Sequence, residues 1–191
     1  MYELTHRDAP WLTRDAIALL ENWLAPEFVG LEWGAGRSTL WFARRVAALI
    51  TVEHAPDWFA RVRRQLQEQE YGNVTLLLEG ERSHGYLAAA HELDDNLLDF
   101  ALVDGVRRDE CAWAVLPKIR PGGFLIIDDA HRYFPTDSRS PLALRPGGEP
   151  PTPIWGRVQH ALASWECTWT SDGVRDTAFW RKPADDPARP N

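Results

Sequence analysis

A glycine pair that joins an apolar run to the start of a helix constrains this 191-residue chain more than any other feature. The run Phe-Val-Gly-Leu-Glu-Trp at 28–33 predicts a strand. Gly-Ala-Gly at 34–36 predicts a tight loop, because glycine tolerates backbone angles that other residues avoid. Ser38 or Thr39 can cap the following helix, whose first N–H groups would then face a bound anion. The stretch therefore predicts a strand, a ligand loop and a helix.

Two carboxylates indicate what kind of ligand the loop would bind. Glu53 closes the apolar run 49–52 about twenty residues after Glu32, where a second strand places an acid against ribose hydroxyls. Glu32 at the edge of the loop would repel a pyrophosphate, and Thr39 stands where dinucleotide-binding loops have a third small residue. A carboxylate suits the ammonium and sulfonium charges of S-adenosylmethionine, which we therefore expect as the ligand. A glycine turn that binds nothing is the alternative.

The composition limits the remaining function classes. A formal charge of -7 gives no overall electrostatic footprint for nucleic acid, so we expect a small-molecule acceptor and no nucleic-acid partner. Cys111 and Cys167 form no metal-spaced pair and indicate free thiols in a reducing cytoplasm. No apolar run approaches membrane-spanning length, so we expect a cytoplasmic protein without membrane contact. The oligomeric state stays open, a homo-oligomer included.

Strand-like and helix-like segments alternate along the chain. Thr13 can cap a first helix, which Pro26 ends. Further helices are predicted at 38–48, 57–70, within 82–93 and at 108–118, and strands at 28–33, 49–53, 74–78, 97–104 and 123–128. The strands are mostly continuous apolar runs, as in a parallel sheet whose two faces are covered by helices. We therefore predict an α/β fold with a doubly wound, mostly parallel sheet in a single domain that spans 1–181.

The C-terminal part departs from this alternation. Residues 133–153 are rich in Pro, Gly, Ser and Arg and are too long for an ordinary connection, which predicts either an active-site lid or a plain surface insertion. A helix at 154–165 precedes two strands, 166–170 and 177–181, which flank the turn residues Ser-Asp-Gly and predict an antiparallel hairpin. The tail 182–191 is expected to be disordered.

The Glu-Trp-Gly-Ala-Gly loop resembles the first motif of class I S-adenosylmethionine-dependent methyltransferases. That family has a Rossmann-like sheet that also ends with a helix and an antiparallel strand pair, so the resemblance covers nearly the whole chain. It implies methyl transfer from S-adenosylmethionine, with adenine contacts after the third strand. Together, the loop chemistry and the resemblance assign the cofactor-binding residues Glu32, Gly34, Ala35, Gly36, Ser38, Thr39, Glu53, His54, Glu79, Gly80 and Asp104.

A second group of acids follows the fourth and fifth strands. Asp104 comes at the end of one strand, and Asp128 and Asp129 come at the end of the next. Adjacent parallel strands would bring these carboxylates to one edge, where they repel each other unless a hydrogen-bond network or a cation compensates. Oxygen ligands alone favour Mg²⁺ or a similar hard ion. The alternative is a set of strand-end acids that cap helices or bind water.

This pattern is similar to that of metal-dependent O-methyltransferases, which hold a magnesium ion with one Asp after the fourth strand and a paired acid after the fifth. The resemblance implies that Asp104, Asp128 and Asp129 bind the metal. The catechol branch has a lysine base where this chain has Arg107, which stays protonated. The branch that acts on antibiotic sugars has a His two residues after the paired acids, and His131 matches it.

The resulting prediction is metal-assisted O-methylation of a hydroxylated small molecule, such as a sugar, with His131 as the base and Asp104 as a second catalytic residue. Two alternatives stay open. An aminopropyltransferase shares the fold and would prefer decarboxylated S-adenosylmethionine. A non-catalytic nucleoside-binding or regulatory module would bind the cofactor without turnover on any acceptor.

Overall fold

The structure is a computed structural model that describes residues 9–184. Its α-helices are α1 (Arg14–Trp23), α2 (Arg37–Ala43), α3 (Pro56–Glu68), α4 (Gly85–His91), α5 (Arg108–Val115) and α6 (Pro153–Leu162). Its strands are β1 (Val29–Trp33), β2 (Ala48–Glu53), β3 (Val74–Leu78), β4 (Leu98–Val103), β5 (Ile119–Asp128), β6 (Glu166–Ser171) and β7 (Asp176–Arg181). The predicted alternation of helices and strands is confirmed. None of these helices combines the length and the apolar character needed to cross a bilayer.

The seven strands of the described range form one sheet in the order β3-β2-β1-β4-β5-β7-β6. Strands β1 to β5 run parallel to one another, whereas β7 pairs antiparallel with both β5 and β6. The mostly parallel sheet with a C-terminal antiparallel hairpin is therefore confirmed. The strand order reverses between β1 and β4, and sheets of this kind bind ligands at the carboxyl ends of the strands at such a point.

Alternating side chains divide the core into two layers. On β4, Phe100 and Leu102 face one layer, which also contains the buried apolar residues of α1 and α2. Ala101 and Val103 face the other layer, which α4, α5 and α6 cover. Burying a side chain as large as leucine contributes about 1.5 to 3 kcal/mol, so this core fixes the strand ends relative to one another.

The helix predicted at 38–48 is shorter in the structure and ends at Ala43. The N–H groups of Arg45 and Val46 turn back onto the carbonyl of Phe42, and the chain then enters β2. Helical periodicity alone missed this boundary, because the apolar residues of the turn and of the strand continue the pattern of the helix.

Strand β5 is longer than predicted and begins at Ile119 rather than at residue 123. Ile119 pairs with Leu98, and the register shifts before Phe124 pairs with Phe100. Gly122 lies in this irregular stretch with a φ of +79°, a conformation that favours glycine. The Pro-Gly-Gly sequence therefore marks a bulge within the strand and not the connection before it.

The segment 133–153, predicted as a lid or an insertion, packs closely on its neighbours. Tyr133 stacks on Trp155 of α6 with the ring centroids 4.5 Å apart. Ser140 is fully buried, and its Oγ donates a hydrogen bond of 2.6 Å to Oδ1 of Asp176. These contacts hold the segment against α6 and β7, and its opening as a lid stays a prediction.

The described part of the C-terminus is held by Lys182, the first residue of the predicted tail. Its Nζ donates to Oδ1 of Asn96 at 3.2 Å and to the carbonyl of Ile119 at 2.9 Å. Residues 185–191, which complete that tail, lie outside the described residues.

Candidate functional site

A pocket of about 440 Å³ opens at the carboxyl ends of β1, β2 and β4. Its volume falls within the usual range for small-molecule sites. The wall combines the glycine loop, the end of β2 and the residues that follow β4. The residues that line it are Trp11, Leu12, Gly34, Ala35, Gly36, Arg37, Ser38, Glu53, His54, Ala55, Trp58, Asp104, Gly105 and Val106.

The glycine loop lies where β1 and β4 separate. Gly34 has a φ of +97°, and a Cβ atom there would lie 3.0 Å from the backbone of both Asp104 and Gly105. A larger residue would therefore push the ends of β1 and β4 apart. At Gly36 the nearest atom to an added Cβ would be Nε1 of Trp58 at 3.8 Å, which leaves the backbone of the loop open to a ligand.

Glu53 joins the end of β2 to the glycine loop. Its Oε2 accepts a hydrogen bond from the N–H of Ala35 at 2.9 Å. Its Oε1 accepts from the N–H groups of His54 at 2.8 Å and Ala55 at 2.7 Å. A carboxylate offers about four lone-pair sites, so these bonds leave room for a further donor from the pocket. The acid is thus held in one orientation at the pocket wall, as a ribose-binding carboxylate requires.

Glu32 lies beneath the loop rather than at its edge, and it is fully buried. Its Oε2 accepts hydrogen bonds from the hydroxyls of Thr39 at 2.7 Å and Thr51 at 2.9 Å. The Thr39 oxygen in turn accepts from the N–H of Gly36 at 2.9 Å. Glu32 does not line the pocket, because the central strand β1 directs its side chain toward Thr51 of β2. Glu32 therefore supports the loop through Thr39, and its direct contact with cofactor charges stays a prediction.

The pKa of Glu32 is raised to about 7, mainly by burial; neighbouring hydroxyl groups oppose the shift, and the Glu53 carboxylate adds a smaller part of it. The Oε1 atom of Glu32 has no hydrogen-bond partner among the described residues. A proton on this oxygen relieves the cost of burying the charge. The loop is therefore supported by an acid that changes its charge near neutral pH.

The other residues predicted to bind the cofactor divide into two groups. His54 and Ser38 line the pocket, and Nδ1 of His54 lies 3.1 Å from Oε1 of Glu53. Glu79 and Gly80 lie outside the pocket wall. The Glu79 carboxylate accepts a hydrogen bond of 2.8 Å from the hydroxyl of Ser83 and lies against the start of α4, and its contact with adenine stays a prediction.

The acids after β4 and β5 meet an arginine that the sequence analysis did not consider. Arg108 donates to Oδ1 of Asp104 at 2.8 Å and to the Asp104 carbonyl at 2.8 Å. It also donates to the carbonyls of Gly105 at 2.9 Å and Asp128 at 2.6 Å. The guanidinium group therefore bridges the two strand ends and supplies the compensating cation at this edge.

The predicted magnesium site is not formed. Oδ1 of Asp128 accepts a hydrogen bond of 2.8 Å from the hydroxyl of Thr177, and Asp129 lies 3.6 Å from the guanidinium of Arg132. In residues 9–184, no group of three His, Cys, Asp or Glu side chains has an arrangement that could hold a metal ion. Each acid instead has its own protein partner, namely Arg108 for Asp104, Thr177 for Asp128 and Arg132 for Asp129.

The pKa values of two of these acids are raised. The pKa of Asp104 is raised to about 6, mainly by burial, with Arg108 opposing the shift and the Glu32 and Asp129 carboxylates contributing to it. Burial likewise raises the pKa of Asp128 to about 7, with Asp104 as the next cause. The two acids are close enough for the charge of one to affect the protonation of the other, so they titrate near neutral pH as a coupled pair.

His131, the predicted base, is buried away from the pocket. Its Nε2 lies 3.1 Å from the carbonyl of Pro141 in the segment 133–153, and the residue is only 2% exposed. Nδ1 has no hydrogen-bond partner among the described residues. The structure therefore groups His131 with the insertion and not with Asp104 at the pocket wall.

The residues of the pocket wall that were not assigned from the sequence include two tryptophans and an arginine. Trp11 stacks on Trp58 with ring centroids 6.2 Å apart, and the indole N–H of Trp58 donates to the carbonyl of Ala35. Arg37 follows the glycine loop directly and lies over the Trp11 ring. The position of Trp58 in the first turn after β2 was the available signal, because that turn lies at the same sheet edge as Glu53.

Comparison with known proteins identifies related sequences and folds. A family model described as a methyltransferase domain matches residues 31–130. No curated protein gives a significant match to the sequence. The chain is similar in structure to an rRNA methylase from Streptococcus thermophilus, with a TM-score of 0.61 and 12% identity over 92% of this chain and 99% of that chain.

Two other solved structures are similar to a comparable degree. A SAM-dependent methyltransferase from Aquifex aeolicus has a TM-score of 0.58 and 16% identity over 94% of this chain and 97% of that chain. A putative methyltransferase, YhhF, from Escherichia coli has a TM-score of 0.59 and 14% identity over 93% of this chain and 89% of that chain. At these identities the structural likeness shows a shared fold.

Proposed function

The chain belongs to the methyltransferase-domain family, and from this membership we propose that it transfers the methyl group of S-adenosylmethionine to a hydroxyl oxygen of a small acceptor. The observation that carries the proposal is the pocket at the point where the strand order reverses. Its wall brings together the glycine loop, Glu53 and Asp104. The arrangement offers a hydrogen-bond acceptor for ribose on one side and an acid for the acceptor on the other.

The cofactor side of the pocket fits S-adenosylmethionine. The fixed carboxylate of Glu53 would accept hydrogen bonds from the ribose hydroxyls, and the backbone of residues 34–36 would lie along the methionine part. The aromatic face of Trp58 and the ring of His54 would exclude water beside the nucleoside. When bound, the cofactor supplies a methyl group on a positively charged sulfur.

Asp104 is the acid that the geometry offers to the acceptor. Its Oδ1 is held by Arg108, and no described residue forms a hydrogen bond with its Oδ2. Its pKa, raised to about 6, leaves it mostly ionised at neutral pH yet basic enough to accept a proton. Oδ2 would orient the acceptor hydroxyl and take its proton. Fixing both reactants contributes about 7 to 11 kcal/mol in well-oriented systems.

Metal assistance has no part in this proposal, because the donor set at the strand ends does not fit Mg²⁺. Arg108 already provides a fixed positive charge between the two strand ends. That charge lowers the cost of keeping Asp104 ionised beside the other acids. The proposed chemistry therefore uses one acid and one arginine, whereas the sequence predicted three acids and a metal.

The test is a transfer assay with S-adenosylmethionine that carries a labelled methyl group, offered with a panel of sugars, catechols and aryl alcohols. We expect label on the oxygen of one acceptor class and an activity that rises with pH through about 6. Asp104→Asn should lower turnover by about 100-fold or more without weakening cofactor binding. Asp57→Asn, an exposed acid outside the pocket, is the matched control.

Three results would overturn the proposal. Label on nitrogen or carbon would exclude O-methylation. Preferential use of decarboxylated S-adenosylmethionine would identify an aminopropyltransferase. If the Asp104→Asn variant binds the cofactor tightly and is as active as the wild type, Asp104 takes no part in the mechanism.

A further inference from the structure

A groove of about 210 Å³ between α2 and α3 continues from the cofactor pocket. The residues of its wall that matter here are Trp11, Arg37, Arg44, Trp58, Arg61 and Gln65. The proposed cofactor contacts and the acceptor acid Asp104 account for the pocket but leave this groove without a role. Its composition differs from that of the rest of the chain in both charge and aromatic content.

The groove is positively charged in an acidic protein. Three arginines line it, and no Asp or Glu does. The segment 37–68 carries six arginines against three acids, although the whole chain has a net charge of -7. A local reversal of charge of this kind raises the concentration of anions at the surface that carries it.

The charges of Arg37 and Arg61 are not neutralised by carboxylates. The guanidinium of Arg37 lies 5.2 Å from the ring centroid of Trp11, and that of Arg61 lies 4.8 Å from the ring centroid of Trp58. Neither arginine forms an ion pair within residues 9–184. Ring faces attract cations but leave the N–H donors of the guanidinium free for an anion.

The aromatic part of the groove is held in a fixed orientation. Trp11 and Trp58 stack at an interplanar angle of 29°, and the indole N–H of Trp58 bonds to the backbone of the glycine loop. Trp11 keeps 46% of its surface exposed. An exposed indole next to unpaired guanidinium groups provides both an apolar aromatic contact and a fork of N–H donors, the combination that recognises an aromatic ring with an anionic substituent.

Four residues, Trp11, Gly36, Arg37 and Trp58, line both the groove and the cofactor pocket. We propose that the groove binds the anionic, aromatic part of the acceptor, such as an aryl phosphate, sulfate or carboxylate. This inference rests on the proposed function, because it takes the ligand of the groove to be the methyl acceptor. A groove of this volume holds one ring with its substituent, and the acidic surface elsewhere repels a long polyanion.

The experiment measures binding, so that it does not depend on turnover. Phenyl phosphate is titrated into the whole protein by calorimetry, with inorganic phosphate and benzyl alcohol as probes of the anion alone and of the ring alone. We expect phenyl phosphate to bind at least tenfold more tightly than either. Arg61→Gln should weaken phenyl phosphate at least tenfold, because it removes charged hydrogen bonds. It should leave the affinity for S-adenosylhomocysteine unchanged, since Arg61 lines the groove and not the cofactor pocket.

Arg64→Gln is the matched control, because Arg64 lies on the same helix, is paired with Glu68 and does not line the groove. Equal effects of Arg61→Gln and Arg64→Gln on phenyl phosphate would overturn the inference. An equal loss of S-adenosylhomocysteine with Arg61→Gln would assign the groove to the cofactor. Tighter binding of an RNA hexamer than of phenyl phosphate would assign it to nucleic acid. Failure of the proposed function alone would instead appear as absent S-adenosylhomocysteine binding with phenyl phosphate binding retained.

Discussion

The sheet edge at which the pocket opens has two halves, one at the ends of β1 and β2 (the β1–β2 half) and one at the ends of β4 and β5 (the β4–β5 half). Both halves carry acids at strand ends, but different kinds of group hold these acids in place. At the end of β2, Glu53 accepts hydrogen bonds from three backbone N–H groups of its own turn and of the glycine loop. At the end of β4, Asp104 depends on the long side chain of Arg108, which also bonds to the carbonyl of Asp128. The first arrangement is fixed by the backbone, and the second by a single side chain.

This difference decides what each half can bind. Backbone N–H groups hold Glu53 at the pocket wall, so we expect the β1–β2 half to bind a neutral ribose. The guanidinium of Arg108 already supplies a positive charge between the ends of β4 and β5, so we expect the β4–β5 half to need no metal. The stability of the two halves should therefore respond differently to substitution, to pH and to metal ions. The change in stability should be largest for substitution and smallest for metal ions.

The largest effect is expected for Arg108→Gln. Removing the guanidinium leaves the partly buried carboxylate of Asp104 and the carbonyls of Gly105 and Asp128 without their partner, which should lower the free energy of unfolding at pH 8 by about 4 kcal/mol. Urea denaturation measures the loss, and the exposed pair Arg64–Glu68 provides the control, because Arg64→Gln should cost less than about 1 kcal/mol. Adding Asp104→Asn to the Arg108 variant should restore part of the stability. Equal losses of stability for Arg108→Gln and Arg64→Gln would show that Arg108 does not hold the strand ends together.

A smaller effect, with a defined pH dependence, is expected for Glu32 in the β1–β2 half. Its pKa of about 7 in the folded chain lies above the ordinary value of 4.5, so the stability it contributes is complete below about pH 4.5 and is lost as the pH rises through 7. The loss amounts to about 3 kcal/mol. Asp104 and Asp128 change stability in the same direction, because their pKa values are also raised.

Glu32→Gln removes the titrating group and keeps the shape of the side chain. Urea denaturation at several pH values between 4 and 8 should therefore show a flatter stability profile than that of the wild type. The variant should gain stability relative to the wild type as the pH rises, because only the wild type carries a buried charge at this position. Parallel profiles for the two proteins would contradict the assigned pKa.

The smallest effect is expected from metal ions. Because Arg108 bridges the strand ends, 10 mM MgCl₂ or excess EDTA should leave the midpoint of thermal unfolding unchanged, and methyl transfer should proceed in EDTA. A ligand present at about 100 times its Kd raises the free energy of unfolding by about 2.7 kcal/mol, an effect that such a measurement detects easily. Stabilisation by Mg²⁺ that Asp128→Asn abolishes would show that the β4–β5 half is a metal site after all.

The contrast between the halves also explains how far the sequence could predict the structure. Strand runs, turn residues and the glycine pair predicted the sheet and its C-terminal hairpin, because hydrophobic period and backbone conformation are local properties. Gly34, Glu53 and Asp104 were placed at one edge because parallel strands end together. The predictions that depend only on the position of the backbone were therefore the ones that the structure supports.

Sequence spacing was a weaker guide to side chains whose partners lie outside their own segment. Arg108 lies four residues after Asp104, but its hydrogen bond to the carbonyl of Asp128 depends on the spacing between β4 and β5. Glu79 turns toward α4, and His131 is enclosed by the segment 133–153. Sequence spacing gives the edge of the sheet on which such residues lie, but packing decides which way their side chains point.

The central claim is that the β1–β2 half binds the nucleoside of S-adenosylmethionine through Glu53. Calorimetry with S-adenosylhomocysteine tests it most directly, using the wild type, Glu53→Ala, and Asp57→Ala as an exposed control acid outside the pocket wall. The account predicts micromolar binding by the wild type, a loss of at least tenfold for Glu53→Ala in a sample shown to be folded by circular dichroism, and no change for Asp57→Ala. Absence of binding by the folded wild type, tighter binding of NAD, or a larger loss for Asp57→Ala than for Glu53→Ala would contradict it.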